Sequence, residues 1–132
     1  MKLSVILCTY SIDRYREFSE AADSILAQTY GDIELVIVID GTNEVYHQVK
    51  TDYEDYSQTT IHCNDQNRGL SYSRNIGAEL ADGDIVAFID DDAVAATDWA
   101  ENIVDAYRRY DALAVGGRMI PDWLSGKPEH LP

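Results

Sequence analysis

The chain has 132 residues, a length that fits one packed domain. It carries 24 Asp and Glu against 10 Lys and Arg, a formal net charge of −14, which argues against nucleic acid as a partner because phosphate backbones need a basic surface. No apolar run approaches the roughly 20 residues that span a bilayer, and the opening stretch Met1–Cys8 reads as too short for a secretory leader.

Leu3–Cys8 is a continuous apolar run and predicts a first strand, followed by the polar loop Thr9-Tyr10-Ser11. From about Asp13 to Gln28, Phe18, Ala22, Ile25 and Leu26 recur at three- and four-residue spacings, the stripe of an amphipathic helix. Tyr30-Gly31-Asp32 stops it. Ile33–Ile39, rich in β-branched residues, predicts a second strand ending in Asp40-Gly41-Thr42-Asn43. A helix from about Asn43 to Tyr56 places Val45, Val49 and Tyr53 on one stripe, and Thr59–Cys63 reads as a short third strand. After the polar loop Asn64–Leu70, residues Ser71–Ala81 predict a helix carrying Arg74 and Asn75, with Ile76 and Leu80 turned inward.

Ile85–Ile89 reads as a fourth strand buried on both faces, and it runs directly into Asp90-Asp91-Asp92. Thr97 is a candidate cap for a helix running to about Tyr110, with Trp99, Ile103, Val104 and Tyr107 facing the core. Leu113–Val115 is a fifth short strand, followed by Gly116-Gly117-Arg118, and residues 121–132 have loop composition. Strands alternating with helices build an α/β domain with a mainly parallel sheet covered on both faces. The domain is expected over residues 1–120, with 121–132 a tail or the start of an acceptor-binding region.

The carboxylate triplet is the chemical centre of this pattern. Each adjacent pair of charges at ~4 Å costs about 1 kcal/mol in water and several times that where water is partly excluded. A hard cation offsets that cost, since Mg2+ takes carboxylate oxygens, waters and substrate phosphates. Tyr10, Asp40 and Asp90 to Asp92 all follow strands, so a parallel sheet brings them to one edge, where ligands of open α/β sheets bind. Arg74 lies early in the helix that feeds the fourth strand and reaches the same edge. An aromatic, a lone carboxylate, an arginine and a carboxylate triplet suit a nucleoside diphosphate: stacking on the base, an acceptor for a base N–H, a phosphate partner and a metal site.

Leu3–Tyr10, Val38-Ile39-Asp40-Gly41-Thr42, Asn67–Gly77 and Phe88-Ile89-Asp90-Asp91-Asp92 together resemble the inverting family 2 glycosyltransferases. The resemblance covers roughly residues 3 to 120. It implies a GT-A fold, a Rossmann-like nucleotide-binding domain, and a nucleotide-diphosphate sugar as donor, with a UDP-sugar favoured. It places Thr9 and Tyr10 at the base pocket, Asp40 on the base, Arg74 near base or phosphates and Asp91 near the ribose. Asp90 and Asp92 match the ends of the family's Asp-x-Asp motif and are the expected ligands of Mg2+ or Mn2+. The acceptor is expected to be a glycan or lipid-linked group offering a hydroxyl or a lipid phosphate. The family's catalytic base usually comes from a later segment, and no residue here is assigned that role. The other reading is a nucleotide-sugar-binding module without transfer.

Three rival architectures lack their signatures. No glycine-rich dinucleotide loop follows the first strand. The acidic and lysine positions of a phosphoacceptor receiver are missing, as is the basic loop of a sugar nucleotidyltransferase. Cys8 and Cys63 lack metal or redox spacing and read as free thiols of a reducing cytoplasm; His47, His62 and His130 are scattered. A dispersed acidic surface with only three lysines suits a salt-rich, halophilic cytoplasm, where mobile ions screen repulsion. The expected location is the cytoplasm or the cytoplasmic face of a membrane, with membrane contact made through the acceptor or through further segments.

Overall fold

Leu3–Thr9 (β1), Ile33–Ile39 (β2), Thr59–Cys63 (β3) and Ile85–Ile89 (β4) pair in parallel, in the order β3-β2-β1-β4, in a computed structural model that describes residues 1–110. The helices are Tyr15–Leu26 (α1), Asn43–Tyr53 (α2), Leu70–Leu80 (α3) and Trp99–Tyr110 (α4). A single 3-10 turn, Ile12–Arg14, precedes α1. The expected strand at Leu113–Val115, the Gly116-Gly117 pair and the boundary near residue 120 lie outside the described residues.

Alternation along the strands divides the sheet into two faces. Leu3, Val5 and Leu7 of β1 and Leu35, Ile37 and Ile39 of β2 point to one face, where α1, α2 and α4 cover them. Phe18 and Ile25 from α1, Val49 and Tyr53 from α2, and Ile103 and Val104 from α4 complete that core. These are the stripes that the helical spacing predicts. Ile6, Val36 and Val38 point to the other face, under α3. The α/β architecture with helices on both faces is therefore as expected.

Three local expectations change. The buried face of α3 is Ser73 and Gly77, while Leu80 is exposed and Ile76 only partly covered. A Cβ at Gly77 would stand 2.4 Å from Ile6 Cγ2, so the helix lies too close to β1 for larger side chains. Among the described residues β4 is the last strand of the sheet, and it is not buried on both faces. Ile85 packs inward, but Val86 and Phe88 are exposed on the α3 side, because α3 covers β1 and β2 rather than β4. The first α4 turn is closed by Asp98, whose carbonyl accepts from Asn102 N, and not by Thr97, whose carbonyl accepts from Thr29 N.

Glu34 interrupts the apolar run of β2 and is buried. Its Oε1 accepts from Ser4 Oγ at 2.6 Å and from Asp82 N at 2.6 Å, and Lys2 Nζ lies 3.6 Å from Oε2. This network ties the turn before β4 to the amino end of the sheet, opposite the edge where the site forms. Burial works against the Glu34 charge, but these donors prevail and hold its carboxyl below the ordinary value.

Candidate functional site

The chain builds outward from β1 to β2 and β3 on one side, then returns to add β4 on the other. The carboxyl ends of β1 and β4 therefore flank the point where the strand order reverses, the place where open α/β sheets leave a crevice. A cavity of about 460 Å³ opens there. Thr9 and Tyr10 enter it from β1 and the loop that follows. Asp40 enters from the end of β2, Arg74 from α3, and Asp90, Asp91 and Asp92 from the end of β4. All seven residues singled out in the sequence line this one cavity.

The triplet is held by partners the protein supplies itself. Asp91 is buried, and its two oxygens are fixed separately: Thr9 Oγ1 donates to Oδ2 at 3.1 Å and Arg14 Nη2 donates to Oδ1 at 2.8 Å. The first contact links β1 to β4 directly across the crevice. The same Arg14 nitrogen lies 3.3 Å from Asp92 Oδ2. Asp90 accepts from Arg74 Nη2 at 3.0 Å, and that guanidinium also sits over the Phe88 ring at 5.9 Å. Burial pushes the Asp91 carboxyl above its ordinary value; Arg14 and Thr9 oppose this, and the neighbouring Asp92 and Asp90 add to it. In return, the Asp91 charge holds the Arg14 guanidinium more firmly protonated.

Asp40 organises the opposite wall. Its Oδ1 accepts from Asn64 Nδ2 at 2.9 Å and Arg68 N at 2.7 Å, and its Oδ2 accepts from Gly69 N at 2.8 Å. Desolvation disfavours its charge, but these three donors outweigh it and hold the carboxyl below the ordinary aspartate value. Asn64 Nδ2 also donates to Ser73 Oγ at 2.9 Å, so β2, β3 and α3 are joined at one buried point. Gly41 makes the close approach possible. Its φ is +73°, and a Cβ there would stand 2.4 Å from Asn67 N, so only glycine lets the β3–α3 loop lie against the end of β2.

Tyr10 keeps a half-exposed ring at the cavity mouth, 53% accessible, while Thr42 Oγ1 pins its carbonyl at 2.8 Å. The backbone is thus fixed while the side chain stays exposed at the cavity mouth. Cys8 lies in the cavity wall, where burial pushes its thiol up to about 11, so it is a neutral wall atom at physiological pH. Cys8 and Cys63 are free and half-buried.

Arg14, which lines the cavity, and Asn64, which braces its wall, carry no sequence signal of their own, and Ser73 lies within the stretch Asn67–Gly77 without being singled out there. Arg14 closes the 3-10 turn whose start is set by Ser11, which accepts from Asp13 N. Nothing in the spacing shows that this arginine turns toward a triplet 77 positions away.

Among the described residues, no three Asp, Glu, His or Cys side chains converge as a complete metal cage. Asp90 and Asp92 nevertheless offer hard oxygens on side chains that are 51% and 61% accessible. Mg2+ and Mn2+ suit carboxylate and water ligands, and Mg2+ in phosphate-handling sites takes only one or two carboxylates beside substrate phosphates. The donor set fits that kind of shared site.

The model of glycosyl transferase family 2 matches residues 4–131. The chain is 56% identical over 133 aligned residues to a glucosyl-dolichyl phosphate glucuronosyltransferase of Haloferax volcanii, an alignment that takes in 100% of this chain and 42% of that protein. The chain thus spans less than half of that relative's length. Among solved structures, a mannosyltransferase of Pyrobaculum calidifontis in complex with GDP-Man and Mn2+ aligns with a TM-score of 0.72 at 27% identity, over 80% of this chain and 32% of the other. Staphylococcus aureus TarS in complex with UDP-GlcNAc aligns with a TM-score of 0.75 at 23% identity, over 92% of this chain and 37% of the other, a likeness of fold.

Proposed function

The chain belongs to glycosyl transferase family 2, and from that premise we propose that the crevice between β1 and β4 is the donor site of an inverting, metal-dependent glycosyltransferase. The observation that supports this most is the convergence of Tyr10, Asp40, Arg74 and the Asp90–Asp92 triplet at the single point where the strand order reverses.

In this reading the Tyr10 ring stacks on the base beside Thr9. Asp40, with three acceptor positions used internally, has capacity left for one base N–H. Asp91 lies toward the ribose, and Arg74 faces the diphosphate. Asp90 and Asp92 would hold Mg2+ or Mn2+. When bound, that cation offsets the charge of the departing nucleoside diphosphate. Inversion follows from a single displacement, in which an acceptor oxygen attacks the anomeric carbon from the side opposite the leaving group and gives its proton to a base. The acidic residues lining the cavity are all already paired with Arg14, Arg74 or backbone N–H groups. None of them is assigned as that base.

We extend the relative's chemistry to this chain at the level of class: transfer of glucuronate from a nucleoside diphosphate, UDP favoured, to a sugar on a lipid phosphate. No helix among the described residues is long and apolar enough to cross a membrane. The proposed place of work is the cytoplasmic face of a membrane, reached through the acceptor or through further segments.

The full pairing of the cavity's carboxylates also supports a second reading, a donor-binding module without transfer. Calorimetry with UDP and GDP, with and without Mn2+, tests the nucleotide site: binding is expected, and tighter with the metal. A turnover assay with nucleotide-activated glucuronate and a lipid-phosphate-linked glucose separates enzyme from module. Absence of nucleotide binding under every metal condition would contradict both readings.

A further inference from the structure

Arg14 stands in an unusual position for a residue next to a cation site. Its Nη2 donates to Asp91 Oδ1 at 2.8 Å and lies 3.3 Å from Asp92 Oδ2, and it is itself part of the cavity lining. Asp91 cannot be the group that gives way, because it is buried and its other oxygen is held by Thr9. Asp92 can: its side chain is 61% accessible, and Arg14 is its only ion-pair partner among the described residues. Of the two carboxylate contacts of the guanidinium, one is a firm anchor and the other is loose, and the loose contact is with an expected metal ligand. Arg74 Nη2 holds Asp90 Oδ1 at 3.0 Å, with no second carboxylate partner among the described residues. Three carboxylates against two guanidiniums leave a single negative charge, which is a weak attractor for a divalent ion taken alone. The two phosphate charges of a nucleoside diphosphate in the adjoining cavity would reverse that disadvantage.

We propose that Arg14 is a positioning residue that competes with the divalent cation for Asp92, so that the cation binds tightly only when a nucleoside diphosphate fills the cavity. The inference rests on the donor-site reading above. Arg14 stays anchored on Asp91 throughout; its hold on Asp92 is what the cation displaces, and the guanidinium released there faces the diphosphate. Metal and nucleotide affinities are then coupled, each tightening the other by the same factor. A bridging cation produces some coupling by itself, so the contribution specific to Arg14 is the weakness of metal binding in the absence of nucleotide.

The test is a titration of the intact protein with Mn2+, following the free ion by electron paramagnetic resonance at one fixed KCl concentration, alone and with UDP or GDP. Arg14→Gln is expected to bind Mn2+ alone about two- to fivefold more tightly than the parent, the range for one partly exposed ion pair. The factor by which nucleotide tightens Mn2+ is expected to shrink by at least the same amount, because the guanidinium that faces the diphosphate is also lost. Arg14→Lys, which keeps the charge, should return metal-alone binding toward the parent value. Arg14→Met provides a second neutral variant if glutamine loosens the turn, and circular dichroism melting monitors the fold. A purely structural role would make the neutral variants bind Mn2+ more weakly. Equal or weaker binding of Mn2+ alone by folded neutral variants, with nucleotide binding intact, overturns this proposal only. No binding of UDP or GDP at any Mn2+ concentration overturns the donor-site reading and this proposal with it.

Discussion

Asp40 accepts from Asn64 Nδ2, Arg68 N and Gly69 N, and with Gly41 beside it fixes the loop that forms one wall of the cavity. Its placement after a strand and before a glycine is legible in the sequence, and a ligand-facing role follows naturally from that placement. The loop-holding role is not legible, because its partners lie 24 to 29 residues away. Asp40→Asn presents an N–H2 group where a backbone N–H needs an acceptor, and should cost about 1–3 kcal/mol of stability, the usual penalty for an unsatisfied buried donor. The carboxyl is held below its ordinary value in the folded state. Its contribution is therefore complete above the ordinary aspartate range and is lost as pH falls through the lowered native value. Melting temperature should fall with acidification in the parent, and that acid slope should be shallower in Asp40→Asn. An unchanged slope would mean that Asp40 does not carry the loop. Glu34, also held low, adds to the slope in both proteins.

The helices α1, α2 and α4 present the faces their apolar spacing indicates, because each packs large side chains against a sheet face that needs filling. In α3 the same rule misleads. Hydropathy counts Ile76 and Leu80, yet the contact is made by Ser73 and Gly77, because short side chains let the helix approach β1 closely and keep Arg74 at the cavity. A Cβ at residue 77 meets Ile6 Cγ2 at 2.4 Å, and Ile6 is a β-branched residue packed in the sheet with little freedom to move. Gly77→Val should therefore destabilise the fold by about 1–3 kcal/mol, the cost of overpacking. It should also weaken nucleotide binding by lifting α3 and Arg74. Chemical denaturation and calorimetry measure the two effects, and a variant as stable as the parent would contradict the close packing. β4 departs from expectation for a related reason: a continuous apolar run gives the strand but not how its faces are covered, and Val86 and Phe88 are exposed.

At the scale of the whole molecule, alternation of strands and helices was enough to indicate the parallel sheet, and the sheet was enough to bring the strand-end residues together. Which arginine meets which carboxylate depends on tertiary packing and was beyond periodicity. The net charge of −14 is a property of the whole surface. Most of its carboxylates have no cationic partner to spare, since acidic residues outnumber basic ones 24 to 10. Self-repulsion should then dominate in dilute buffer and be screened in concentrated salt, where the Debye length falls from about 10 Å at 0.1 M to about 3 Å at 1 M. Melting temperature is expected to rise with KCl through the molar range. A melting temperature equally high in dilute buffer would remove the case for adaptation to salt.

In the proposed donor site the carboxylates closing β4 hold a divalent cation against a nucleoside diphosphate, and Asp92 is the member most available to do so. The direct measurement is calorimetric titration of the parent and of Asp92→Asn with UDP and GDP, each with and without Mn2+. The parent is expected to bind one of these nucleotides about tenfold or more tightly when Mn2+ is present, within the usual range of coupling between linked ligands, and Asp92→Asn is expected to lose that gain while still melting cooperatively. A folded Asp92→Asn protein showing the parent's full Mn2+ effect would contradict the claim.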